Sequence, residues 1–345
     1  MPINQKFMVI NQQLKAENNY NLMKKLFIIS FHILLTINPL LGQIDIVNID
    51  SMSSNSKCVD YSKLKNVMTE LPIRLFENKR ILSLENGFNH IDSVPVNIKK
   101  LITLKKLMLY DNNLTTIPEE LFELENLEYL DLGRNNLKFI PDKFYKLKKL
   151  KYLRITDCDS LIVPKSIFQL EHLKELDLSN NHLDSIPSSL SNLKKIENLN
   201  LSNNNIENLT DKIGKLKSLK ILYLFSNKLS ELPKSIFELN NLEVLSINSN
   251  KFKYLLYLPC NITDLDISYN QFVEFPYYIL ARHKIKYVDV RHNKLQYFHP
   301  QKLNLQIIKI LEGNNIPKEI LIKLEELNPS ESFNRHSKAQ KIIIY

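Results

Sequence analysis

Glycine is almost missing from this chain. Its 345 residues include five, Gly42, Gly87, Gly133, Gly214 and Gly313, and none cluster. Loops that cradle phosphates need grouped glycines, so the scarcity argues against that chemistry. Cysteine is scarce as well. Cys58, Cys158 and Cys260 are an odd number without a C-x-x-C pair, and Cys58 and Cys260 lie far apart along the chain. They supply neither a disulfide framework nor thiolate metal ligands. The eight histidines show no ligand spacing, and no nucleophile-elbow, zinc-protease or kinase motif is present. Long apolar runs are also lacking. The longest, Leu26 to Leu41, is interrupted by His32, Asn38 and Pro39. It is shorter than the ~20 residues of a membrane-spanning helix.

What the chain does have is a period. The stretch Leu176-Asp-Leu-Ser-Asn-Asn-His-Leu-Asp-Ser-Ile-Pro187 recurs in altered copies. Steps of 23 residues link Leu107, Leu130, Leu153, Leu176, Leu199, Leu222 and Leu245, then a step of 20 reaches Leu265 and one of 23 reaches Val288. Within each copy, Leu-x-Leu alternation reads as a short half-buried strand. After the proline, apolar residues recur every three, as in Leu121, Leu124 and Leu127. That spacing predicts a short helix or 3-10 turn. An asparagine sits at a fixed offset: Asn112, Asn135, Asn181, Asn204, Asn227, Asn250, Asn270 and Asn293, with Cys158 in the same slot. Buried amides need partners, so these residues are expected to form a hydrogen-bonded ladder.

This pattern, over residues 81–316, resembles the leucine-rich repeat family, and most closely its 23-residue Leu-Pro type of Ras-group and related bacterial proteins. The resemblance implies an α/β solenoid. It would be a right-handed horseshoe with a parallel β-sheet on the concave face and short helices or 3-10 turns on the convex face. Strands pack closer than helices, which sets the curvature. The family's asparagine bonds backbone groups of neighbouring turns. The 20-residue step resembles the shorter bacterial-effector repeat, whose outer segment is extended. In the first copy, Leu82 and Leu84 stand two residues out of step.

The ends read differently. Residues 1–22 form a polar extension that is non-native or disordered, with translation expected to start at Met23. Residues 23–42 carry the charged, apolar and small-residue segments of a signal peptide cut after Gly42. An uncleaved anchor and a buried N-terminal helix are the alternatives. No cysteine closely follows the apolar run, which argues against a lipoprotein anchor. Residues 43–80 are expected to cap the array, and 317–345 to supply a C-terminal cap helix and flexible tail. The ends leave no room for a catalytic domain. The net charge of +9 is carried mostly by lysines mixed with glutamates in the outer segments. This reads as a solvated face rather than a nucleic-acid surface.

Recurring residues build the scaffold, so positions that vary on the concave strands are the candidate site. Tyr110, Tyr129, Arg134, Tyr152 and Arg154 gather in the first third, and Ile221, Tyr223 and Phe225 in the middle. Tyr269, Tyr287 and Arg291 follow near the end. Such residue types are enriched at interface hot spots. Single exposed aromatics are also ordinary on any surface, and each taken alone reads that way. A contiguous apolar group is less ordinary, which favours Ile221, Tyr223 and Phe225 as a binding patch. The expected function is therefore a non-enzymatic module binding a protein or peptide partner on the concave face. It would be secreted or surface-exposed, bacterial, without cofactor, metal or nucleic acid, and without a membrane span after signal cleavage. The alternatives are a cytoplasmic scaffold or signalling regulator of the Ras-group kind, and an accessory or toxin-like effector acting with a separate partner domain.

Overall fold

The computed structural model describes residues 57–64, 68–159, 161–278, 284–296, 313–316 and 319. The expected extension, signal segment and most of the C-terminal cap and tail lie outside these residues. The contacts divide the chain into two units, 1–45 and 46–345, and the description below concerns the second.

Among the described residues, each repeat contributes one three-residue strand. These are β1 (Cys58–Asp60), β2 (Ser83–Glu85), β3 (Lys106–Met108), β4 (Tyr129–Asp131), β5 (Tyr152–Arg154) and β6 (Glu175–Asp177). They continue as β7 (Asn198–Asn200), β8 (Ile221–Tyr223), β9 (Val244–Ser246), β10 (Asp264–Asp266) and β11 (Tyr287–Asp289). All eleven form one sheet in sequence order. Every pairing is parallel, and the first leucine of each copy lies opposite that of the next, from Leu84–Leu107 to Leu265–Val288. A parallel ladder needs a crossover connection, and the second half of each repeat supplies it.

That half is a 3-10 turn in most copies, as the three-residue apolar spacing predicts. Proline precedes the turns Ile73–Glu77, Val96–Lys100, Glu119–Glu123, Lys165–Gln169, Ser188–Asn192 and Lys234–Glu238. Its fixed φ and missing N–H suit a residue entering a helix. Leu121, Leu124 and Leu127 are fully buried there, like their counterparts in other copies, and the core runs unbroken along the axis. No turn helix forms between β9 and β10. The 20-residue step leaves that outer segment without a helical turn, and Phe252 and Phe272 stack 6.4 Å apart.

The asparagine column is a continuous hydrogen-bond system. Asn227 shows the pattern: its Nδ2 donates to Leu201 O at 2.9 Å and Leu224 O at 3.0 Å, and its Oδ1 accepts from Ile206 N at 3.0 Å. The system runs past both ends of the expected column. Asn89 donates to Tyr61 O at 3.2 Å, and Asn314 accepts from Leu295 N at 3.2 Å. Cys158 keeps the slot with its thiol donating to Thr156 O at 3.4 Å. Burial pushes this thiol up to about 11, so it stays protonated.

The first repeat corrects one expectation. Leu84 is in step, opposite Leu107. The irregularity lies at Asn86, which takes the second leucine position. It is buried, with its Oδ1 accepting from Asn89 Nδ2 at 2.6 Å and its own Nδ2 without a partner. β1 then adds a further turn, with Val59 opposite Leu84 after a 25-residue step.

Candidate functional site

The concave sheet presents four side-chain columns. One precedes the first leucine, one lies between the leucines, and two follow the second leucine. The column between the leucines has a structural duty. Each strand ends after three residues, so the amide two positions beyond that column falls outside the ladder. A carboxylate or amide side chain supplies the missing acceptor. Asp131 accepts from Gly133 N at 3.0 Å and Asp177 from Ser179 N at 3.0 Å. Asn200 accepts from Ser202 N at 3.1 Å, Asp266 from Ser268 N at 3.0 Å, and Asp289 from Arg291 N at 3.0 Å. Asp131, Asp177 and Asp289 are consequently buried, although they lie on the inner face.

In the first third, aromatic rings and cations pack together. Tyr110 meets Phe88 edge to face at 5.4 Å, and the Arg134 guanidinium lies 5.5 Å from its ring. Arg134 also reaches to 3.9 Å from Asp111. Gly133 makes room for this: a Cβ there would stand 3.1 Å from the Tyr110 ring. Tyr129 and Tyr152 are tilted neighbours at 6.0 Å, and Lys106 sits 5.5 Å over Tyr129. Burial pushes the Tyr110 hydroxyl up to about 12. Phe88 and Lys106 extend this group, although the sequence reading does not single them out. Phe88 belongs to the copy whose second strand leucine is replaced by Asn86, and Lys106 stands one strand ahead of Tyr129 in the same column.

Two of the expected recognition residues sit otherwise than expected. The Arg154 side chain is only 11% exposed and lies between Asp131 at 3.6 Å and Asp177 at 3.7 Å. Burial works against its charge, but the two carboxylates outweigh that and raise its pKa. Arg291 is equally enclosed, with Nε at 3.0 and 2.9 Å from the two Asp289 oxygens. Both arginines neutralise carboxylates that cap the strands. A single sequence gives no sign of this, because it depends on residues one repeat away or two positions back.

In the middle, Ile221, Tyr223 and Phe225 are half-buried in a row along and just beyond β8. The next strand offers half-buried Val244 and buried Ser246. Over this small serine, Tyr223 comes within the field of Asp264 on β10. Burial first, and that carboxylate second, push the Tyr223 hydroxyl up to about 12. Between this row and the tyrosines of β4–β5 lies a polar floor on β6 and β7. There Asn198 Nδ2 donates to Glu175 Oε1 at 3.0 Å. Burial nevertheless pushes the Glu175 carboxyl up to about 6. Near the end, Tyr269 stacks on His292 at 4.2 Å, and the Tyr287 hydroxyl donates to Asp289 at 3.3 Å. Among the described residues, no three His, Cys, Asp or Glu side chains are placed to hold a metal ion.

The column just before the ladder has a second constraint. Its residues adopt the left-handed conformation in copy after copy, with φ from 51° at Arg134 to 59° at Phe88. Asp111, Asp157, Asn180, Asn203, Ser226, Ser249, Tyr269 and His292 share it. Outside the face, the lower rim carries a charge ladder. Glu128 lies between Lys105 (3.7 Å) and Lys151 (2.6 Å), and Glu197 between Lys174 (3.2 Å) and Lys220 (2.7 Å).

These features define a leucine-rich repeat solenoid, and comparison with known proteins agrees. A leucine-rich repeat region model matches residues 59–200. A leucine-rich repeat protein of Leptospira interrogans is 30% identical, with 79% of this chain and 76% of that one covered and a TM-score of 0.67. The chain belongs to the leucine-rich repeat family. The fold is shared at greater distance by an internalin, InlF, of Listeria monocytogenes, at 16% identity, covering 74% of this chain and 80% of that one, with a TM-score of 0.54. It is shared also by PEPR1 in its complex with AtPEP1, at 24% identity, covering 76% and 39%, with a TM-score of 0.58. No curated protein matches the chain in sequence.

Proposed function

We propose that this protein is a non-enzymatic module that holds a protein or peptide partner on its concave sheet. The observation that carries the reading is the row Ile221, Tyr223 and Phe225. These apolar side chains lie half-buried on a face whose other positions are largely polar or packed. Half-buried aromatics on a preformed strand lose little freedom on binding, which favours affinity. The cluster of Tyr110, Tyr129, Tyr152 and Arg134 is the second contact region, with Tyr269 and Tyr287 towards the far end. Arg154 and Arg291 shape the face from within it. PEPR1, bound to AtPEP1 in its structure, has the same fold.

The test is capture of partners from host material by the intact protein and by a Tyr223→Ala/Phe225→Ala variant. Loss of the captured species, with circular dichroism unchanged, is the expected result. Undiminished capture removes this patch from the reading. We place the protein outside the cell or at its surface, with residues 23–42 acting as its leader; the charged start and apolar run support this. N-terminal sequencing of the native protein should begin at or near Gln43. A soluble form retaining Met1 or Met23 overturns export and favours a cytoplasmic scaffold.

A further inference from the structure

The inner face carries the opposite charge to the chain. In its four columns over β3–β11, the first half has Asp111, Asp131, Asp157, Glu175 and Asp177 against Lys106, Arg134 and Arg154. The second half has Asp264, Asp266 and Asp289 against Arg291. Eight carboxylates thus face four cations, a formal balance of minus four in a chain of +9. The cations are engaged locally: Lys106 with Glu85 at 2.7 Å, Arg154 with Asp131 and Asp177, Arg291 with Asp289, and Arg134 beside Asp111. Glu175, Asp264 and Asp266 take part in none of these ion pairs. A concave surface of one sign concentrates its field and draws in the opposite charge.

The apolar footholds add a spacing. The Tyr129–Tyr152 pair ends on β5, and the Tyr223–Phe225 row begins on β8, three strands away. At ~4.8 Å per strand this is about 14 Å, which an extended chain covers in about four residues. The floor between them holds Glu175, Asn198 and Asn200, which offer a carboxylate and amides to whatever crosses.

We infer that the concave face takes an extended basic peptide segment, with apolar side chains about four residues apart on the two aromatic footholds and a lysine or arginine between them over Glu175. The inference rests on the reading of the concave sheet as the partner-binding face. It adds the chemical class of the partner. The opposing field comes from the upper rim, where Lys228, Lys251 and Lys294 are exposed. A segment lying on the floor is nearer the carboxylates than these lysines. An acidic partner would be held at the rim instead.

The experiment is an array of short synthetic peptides probed with the intact protein. Each peptide holds two phenylalanines separated by one to six positions, with lysine, serine or glutamate filling the rest. The expected signal is highest for lysine, lowest for glutamate and greatest near a separation of four. It should weaken as salt rises, since exposed charges are screened. A Glu175→Gln/Asp264→Asn variant removes two charges that do not cap strand ends, so the fold is kept. It should bind the lysine peptides about tenfold more weakly and abolish their advantage over serine, a change of about 1.4 kcal/mol. Equal or stronger binding of glutamate peptides overturns the inference, as does failure of every peptide to bind. If capture by the intact protein still depends on Tyr223 and Phe225 in either case, the binding face stands and only the basic class falls. If capture is indifferent to those residues too, the face itself falls.

Discussion

The first third of the inner sheet and its middle hold similar residue types under different constraints. In the first third, an arginine on a central strand sits between two buried carboxylates and is itself enclosed. Its tyrosines lean on each other and on cations. In the middle, Tyr223 and Phe225 flank small or polar neighbours, among them Ser202 and Ser246. The identity of a side chain therefore does not decide whether it is available to a partner. The residues one repeat away decide it. Where the neighbours are aspartates that cap strand ends, an arginine becomes part of the scaffold. Where they are serines, an aromatic keeps part of its surface open.

The sharpest way to break this comparison is to truncate one residue in each region. Arg154→Ala leaves Asp131 and Asp177 buried without their shared cation. Removing one member of a buried ion pair is costly, so a loss of about 3 kcal/mol in urea unfolding is expected. Tyr223→Ala removes a half-buried ring from a face that has other supports, and should cost no more than about 1 kcal/mol while reducing partner capture. Equal stability losses would mean that the middle row is as structural as the first third, and would remove its claim to be a binding patch.

The ladder supplies the control, because its asparagines make the same side-chain hydrogen bonds in both regions. Asn135 donates to Leu109 O and Leu132 O and accepts from Leu114 N, and Asn227, three ladder slots beyond Cys158, makes the equivalent bonds to Leu201 O, Leu224 O and Ile206 N. Replacing either by alanine strips buried backbone groups of a partner, at about 2–3 kcal/mol each. Nearly equal losses for Asn135→Ala and Asn227→Ala are expected in the same urea titration. A large inequality would show that the regions differ in backbone stability, and the contrast between Arg154 and Tyr223 could then not be assigned to their side-chain neighbours.

This uniformity explains what could be read from the sequence. Strand register, the 3-10 turns and the asparagine positions all follow from periods of one side chain against a fixed backbone. Leu84 was harder, because Asn86 at the second strand position broke the pattern on which alignment depends. The capping role of Asp131, Asp177 and Asp289 was not legible from the leucine period. It arises from an amide that leaves the ladder two residues later, and a serine at that place, Ser179 after Asp177, Ser202 after Asn200 and Ser268 after Asp266, is its local signal. The enclosure of Arg154 is hidden from the sequence because it too depends on other repeats. Its partners are 23 residues away in each direction, and only the stacked structure brings them within 4 Å. The left-handed column was in plain view as Asp, Asn, Ser, Arg, Tyr and His before each ladder residue. Those residue types only partly match the Asn and Asp preference for that conformation, so no conformational rule emerged from them.

That column gives the finest test of the contrast. A non-glycine residue in the left-handed region is strained by about 1–2 kcal/mol, and a glycine there is not, although it loses more entropy on folding. Ser249, next to the middle row, has φ 55° and a buried hydroxyl without a hydrogen-bond partner. Ser249→Gly removes both penalties and should raise stability by about 0.5–1 kcal/mol. Arg134, with φ 51°, carries the same backbone strain, but its guanidinium lies over Tyr110 and beside Asp111. Arg134→Gly relieves the strain and loses these contacts, so its net change should stay within about 0.5 kcal/mol of zero. Equal gains at the two positions would show that the Arg134 contacts add nothing to the fold. The arginine would then be free to leave Tyr110 for a partner, and the first third would resemble the middle more closely than its packing suggests.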